Sequence, residues 1–62
     1  MKKEIVDTFQ NTHEGLVISG VVLKHLRKKD RSHRYTIYFP RGLRSTKFHI
    51  IKESWHKERK IR

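Results

Sequence analysis

Apolar residues fall in four short runs separated by polar or charged stretches, and the spacing inside each run predicts what it forms. In Glu4-Ile5-Val6-Asp7-Thr8-Phe9, alternation puts Ile5, Asp7 and Phe9 on one side of an extended chain and Val6 and Thr8 on the other. This predicts a short strand. Gln10-Asn11-Thr12-His13-Glu14-Gly15 is polar, ends in glycine, and reads as a turn. Leu16 to Leu26 is dense in Val and Ile, with Gly20 in its middle. β-Branched side chains suit a pleated sheet, and an internal glycine suits a bulge or bend, so a strand is favoured here. A helix is the competing reading. Asn11 and Glu14 would form its capping box, and Ile18, Val22 and Leu26 fall at i, i+4, i+8.

Arg27-Lys28-Lys29-Asp30-Arg31-Ser32-His33 reads as a charged loop. Arg34-Tyr35-Thr36-Ile37-Tyr38-Phe39 is the clearest strand, with Tyr35, Ile37 and Phe39 on one face and Arg34, Thr36 and Tyr38 on the other. Pro40 ends it, because proline cannot donate to a continuing ladder, and Pro40-Arg41-Gly42 reads as a turn. Residues 47–56 stay open between three readings. Lys47–Ile51 forms a strand with Phe48 and Ile50 inward. Alternatively Ser45 caps a helix with Phe48, Ile51 and Trp55 as its apolar stripe. A hybrid has a strand to about Ile51 and a helix from Glu53.

Gly20-Val21-Val22, then Tyr35-Thr36-Ile37-Tyr38-Phe39-Pro40-Arg41-Gly42, then Phe48 to Trp55 together resemble the strand rhythm of SH3-like small barrels, including the Tudor and KOW types. The resemblance covers about two-thirds of the chain and concerns fold alone, so it carries no binding residue over. It implies a mainly β fold: a small SH3-like barrel or curved antiparallel sheet with a short C-terminal helix. The alternative is an α+β fold.

Sixty-two residues predict one small domain over 1–62. A chain this short buries a small share of its surface, and without cysteine no disulfide or thiolate–metal site reinforces it. The absence of cysteine also fits a reducing compartment. The longest apolar stretch, Leu16–Leu23, is too short to span a bilayer. Lys2-Lys3 leads into Glu4 and Asp7 rather than into the apolar core of a signal peptide. A cytoplasmic location, or the cytoplasm of a host cell, is therefore expected.

Charge changes the picture most. Residues 1–26 carry Lys2, Lys3 and Lys24 against Glu4, Asp7 and Glu14 and sum to zero. Residues 27–62 carry the other thirteen of sixteen Lys and Arg against Asp30, Glu53 and Glu58, so 13 − 3 = +10. Such a field attracts polyanions and repels a second copy. It points to nucleic acid, with duplex DNA favoured over RNA and phosphates contacted by Arg27, Lys28, Lys29, Arg31, Arg34, Arg41, Arg44 and Lys47. Tyr38 would stack on a base or sugar if its face is open. A regulatory or accessory role follows.

The alternative is a protein-interaction module or inhibitor, of the kind a virus or mobile element encodes, that binds an acidic surface of a partner. RNA binding is a further alternative. Self-association into a homodimer would enlarge a small core. No membrane partner is expected, because the C-terminal segment offers only a narrow apolar face. Of the five histidines, His49 and His56 would share a helix face with Glu53 at i, i+4, i+7, but this lacks the His-Glu-x-x-His form and cysteine support, so no metal or other cofactor is expected. The serines lack a nucleophile context and the acidic residues are unpaired, so no catalytic residue is assigned.

Overall fold

The computed structural model describes residues 2–54. Strand β1 (Lys2–Gln10) leads into helix α1 (His13–Lys29), followed by β2 (Arg34–Tyr38), β3 (Pro40–Leu43) and β4 (Lys47–Ser54). The fold is α+β, which corrects the mainly β expectation.

The decisive difference lies at residues 13–29, one continuous helix where a strand was favoured over Leu16–Leu26, with a turn ending at Gly15 before it and a charged loop from Arg27 after it. Thr12 is extended and its hydroxyl accepts the Gly15 N–H at 3.0 Å, satisfying one of the free donors of the first turn. The cap is thus Thr12, one residue after the Asn11 of the expected capping box. Ser19 and Leu23, four apart, are buried, with Val22 and Leu26 packed beside them. That periodicity belongs to a helix lying on a sheet. Burial of this stripe outweighs the strand preference of Val and Ile, which is small per residue. Ser19 is fully buried, and its hydroxyl donates to the Leu16 carbonyl at 2.9 Å. A side chain that small lets α1 approach the sheet closely. Gly15 is required where the helix starts, because a methyl group there would collide with the Gln10 carbonyl oxygen.

The described sheet has the order β1-β4-β2. Both β1 and β2 run antiparallel to β4, so they are parallel to each other, and α1 links them over the strand between. This split β-α-β arrangement explains why the central strand supplies Phe48, Ile50 and Ile51, three of the five buried apolar side chains among the described residues. Leu23, Tyr35 and Ile50 form the core, with Phe9, Val22, Leu26 and Ile37 against it. Phe48 sits between Phe9 and Phe39, with ring centroids 5.7 and 5.0 Å away.

The sheet is open, so the SH3-like barrel expectation is wrong. A barrel needs the Leu16–Leu26 run as a strand to close on its neighbours, and that run is helical. Residues 47–54 are a strand, which removes the reading of a helix capped by Ser45. The helix expected from Glu53 onward, and the Trp55 stripe, lie mostly outside the described residues; Glu53 and Ser54 themselves belong to β4.

Two details of register also differ from expectation. The β1–β4 pairing slips between Ile5 and Asp7, so that Ile5 pairs with Ile51 while Phe9 pairs with Phe48. A bulge at Val6 therefore sends Ile5 and Phe9 to opposite faces of the sheet, although simple alternation put them together. Pro40-Arg41-Gly42 belongs to β3, yet the Gly42 N–H still reaches back to the Phe39 carbonyl at 3.1 Å. Gly42 has φ of 76°, a region where a side chain is strained. Asn11 ties this corner down, donating to the Leu43 and Ser45 carbonyls at 2.7 and 2.6 Å.

Candidate functional site

The charged segment divides in two. Lys28 and Lys29 are exposed in the last turn of α1, where cations complement the helix dipole, and Arg31 follows in the turn. Arg27 is also in that last turn, but its guanidinium donates to the Tyr35 carbonyl at 3.1 and 3.3 Å and pins the helix to β2. Arg34 opens β2, where it lies 4.0 Å from Glu53. Glu53 also receives Lys3 at 3.8 Å. At the other end of β2, Arg41 and Arg44 line one shallow cleft of about 330 Å³ with Pro40, Ser45 and Thr46. Lys47 opens β4, exposed. From Arg34 to Tyr38 the strand advances about 13 Å. The nine expected contact residues are thus brought into two groups at opposite ends of β2.

Tyr38 lies on the sheet face away from α1 and is 47% exposed. It pairs with His49, whose Nδ1 lies 3.0 Å from the Thr8 hydroxyl on the far strand. Lys3, Glu4, Ile5, Tyr38 and Ile51 line a shallow depression of about 250 Å³ on this side.

Asp30, Ser32, His33 and Tyr35 form a cluster just beyond α1 that the sequence reading passed over. The Ser32 hydroxyl donates to Asp30 Oδ1 at 2.6 Å, and His33 Nδ1 lies 2.8 Å from Asp30 Oδ2. These contacts, the Ser32 hydroxyl first, hold the Asp30 carboxyl at about 2, below its usual 3.8. The Tyr35 hydroxyl donates to the same carboxylate at 3.4 Å, and burial of the ring pushes its ionisation above the ordinary 10. Ser, His and Asp meet here, but not as a relay. His33 Nδ1 also lies 2.9 Å from Ser32 Oγ, so serine and aspartate both address the same ring nitrogen. A nucleophile relay places them on opposite nitrogens. The cluster instead closes the corner after the helix.

The outer face of α1 is the feature that composition and charge did not reveal. Val17 and Val21 point away from the sheet and are 54% and 67% exposed, and Ile18 lies on the flank beside them, 49% exposed. Leu16 is exposed at the edge of this patch. Lys24 stands two turns beyond Val17, and Lys28 two turns beyond Val21, at nearly the same angle around the helix. The face is therefore divided along the axis: apolar toward the N-terminal end, basic toward the C-terminal end. Glu14 is the acidic residue of its first turn. A strand reading hides this face, because it sorts the same residues by a period of two.

No helix among the described residues is long and apolar enough to cross a membrane. Nor do His, Asp and Glu side chains gather into a metal-binding group among them. No protein-family model, curated protein or solved structure matches this chain. The surfaces themselves therefore carry the functional reading.

Proposed function

We propose that this chain is a protein-interaction module that docks the outer face of α1 onto an acidic, partly apolar surface of a partner protein. One observation carries the reading: exposed Val17 and Val21 share a helix face with Lys24 and Lys28, with exposed Ile18 at its edge. A phosphate backbone neutralises cations but gives those three side chains nothing apolar to bury against. A bilayer fits poorly as well. Interfacial helices carry an apolar stripe along their whole length with cations on the flanks. Here the cations lie on the same line as the valines, so a flat membrane surface that covers Val17 and Val21 also covers Lys24 and Lys28. A protein surface supplies apolar and acidic groups side by side.

The basic groups at both ends of β2 add long-range attraction to any acidic partner, and they speed encounter more than they set the final affinity. The protein then works by occupying a surface.

The test is a set of titrations at about 50 and about 200 mM salt, which brackets the range where counterion release acts strongly. Labelled duplex DNA, single-stranded RNA, a poly-glutamate peptide and an acidic peptide with an apolar stripe are each titrated with the full chain. The striped peptide keeps most of its affinity at the higher salt, because apolar burial is not screened, and Val21→Asp weakens it. Tight nucleic-acid binding that Val21→Asp leaves unchanged contradicts the proposal.

A further inference from the structure

We infer that the docked element is an acidic amphipathic helix lying antiparallel to α1, with its N-terminal turn over Lys24 and Lys28. This rests on the docking face proposed above and names its occupant. The axial division of that face sets the partner's pattern: apolar side chains over Val17, Ile18 and Val21, carboxylates over Lys24 and Lys28. The distance between the two halves, seven residues or about 10 Å along a helix, is two turns. A partner helix presents apolar and acidic positions at the same two-turn interval.

Polarity follows from the partner's own stability. Carboxylates favour the first turn of the helix that carries them and disfavour the last. A helix with its acidic turn over Lys24 and Lys28 therefore starts at the C-terminal end of α1 and runs antiparallel. Its C-terminal end then reaches Glu14, where a basic residue is favoured by the same dipole argument and completes a second ion pair. The two helix dipoles also align favourably in this orientation.

Gly20 supplies an independent reason for a helix. It sits within α1 between Leu16 and Lys24 in the i, i+4 row beside Val17 and Val21. A Cβ built there meets nothing within 4 Å among the described residues, so no described neighbour demands glycine. Glycine within a helix is unfavourable relative to alanine, and the fold obtains no packing in return. The missing side chain leaves a notch in the ridge at the edge of the patch. Helices pack by setting the ridge of one into the groove of the other, and a notch lets the axes approach more closely.

A second copy of this chain is disfavoured as the occupant. An antiparallel copy centred on Val21 sets Glu14 against the other copy's Lys28, but it also sets Lys24 against Ile18 and His25 against Val17. Basic groups then fall on the apolar half, and two chains of charge +10 are brought together.

Three synthetic peptides of about five turns, matching the length of α1, test this. Two share one apolar stripe and carry their glutamates in the first turn or in the last turn; the third keeps the first-turn glutamates but has the stripe replaced by serine. Each is titrated with the full chain at about 150 mM salt, a physiological screening length. The first-turn peptide binds about 10-fold tighter than the last-turn peptide, a difference of about 1.4 kcal/mol. Gly20→Leu fills the notch and weakens it about 10-fold, while the thermal midpoint of the free protein does not fall, since the position is open. Equal affinity for the two acidic peptides overturns the antiparallel helix. So does Gly20→Leu binding at full strength.

If Val21→Asp also leaves all three peptides unaffected, the docking face itself fails. If Val21→Asp abolishes binding and polarity makes no difference, only the helical partner fails. Sedimentation of the protein alone is the last arm: a dimer that Val21→Asp dissociates assigns the face to a second copy and overturns the acidic helix.

Discussion

Phe48→Ala is the sharpest test of the core. Phe48 is fully buried near the start of the central strand β4, with Phe9 on one side and Phe39 on the other, ring centroids 5.7 and 5.0 Å away. Truncating a buried phenylalanine costs about 3–5 kcal/mol through lost transfer energy and the cavity left behind. Stability of about 0.05–0.15 kcal/mol per residue gives a chain of this length roughly 3–9 kcal/mol in total. The substitution therefore removes between a third and all of the stability. Urea unfolding followed by far-ultraviolet circular dichroism reads the loss as a fall in the midpoint at an unchanged slope, or as a chain unfolded without denaturant. Leu43→Ala is the internal control: Leu43 is 77% exposed, so its truncation leaves the midpoint within about 0.5 kcal/mol of the parent. A Phe48→Ala loss below about 1 kcal/mol, or one equal to that of Leu43→Ala, refutes the packing described for the covered face.

Two glycines in one helix respond oppositely to alanine. Gly15→Ala drives a methyl into the Gln10 carbonyl and destabilises, by about 1–3 kcal/mol for overpacking. Gly20→Ala meets nothing and stabilises by up to about 1 kcal/mol through helix propensity. The same shift for both in thermal melts contradicts the helix start described here. Thr12→Ala removes the N-cap and costs about 1 kcal/mol in the same assay; no change means that the cap contributes nothing. Asp30 sets part of the acid limb. Its ionisation is lowered from 3.8 to about 2, so the folded state holds the proton less tightly than the unfolded one. Its stabilisation is therefore present above about pH 4 and lost as pH falls through about 2. Asp30→Asn flattens the thermal midpoint across that window, and parallel curves for the two proteins refute the assignment.

Strands β1 and β2 were legible, β4 was one of three open readings, β3 was read as a turn, and the helix was only the competing reading of its segment, for a physical reason. Arg34–Phe39 alternates cleanly, because one face of β2 is buried and the other is open. In β4 the inward Phe48 and Ile50 follow the same rule. Helix α1 obscures its own period, because Val17, Ile18 and Val21 are apolar yet exposed. A helix apolar on both faces reads as a dense β-branched run, and the glycine that notches its outer face reads as a bulge. The feature that disguised the helix is thus the one proposed to serve function. Nor could alternation foresee the bulge at Val6, since an inserted residue leaves no local signal between Ile5 and Asp7.

The basic residues were visible both as types and as groups, since Arg27–Arg34 and Arg41–Lys47 flank the Arg34–Phe39 strand in the sequence, but their side-chain partners were not. Arg27 is committed to the Tyr35 carbonyl and Arg34 lies beside Glu53, partners distant enough in sequence that only the fold brings them together. The Asp30–Ser32–His33 cluster was readable in principle, because an aspartate two residues before a serine is a common turn pattern.

The most direct test of the docking face is an amide map. The full chain is labelled with ¹⁵N and titrated with the first-turn acidic peptide, and shifts are followed residue by residue. The largest changes fall on Val17, Ile18, Gly20, Val21, Lys24 and Lys28, with Thr8, Tyr38 and His49 on the opposite sheet face unmoved. Changes centred on Tyr38, Arg41, Arg44 and Lys47, with the outer face of α1 silent, contradict it.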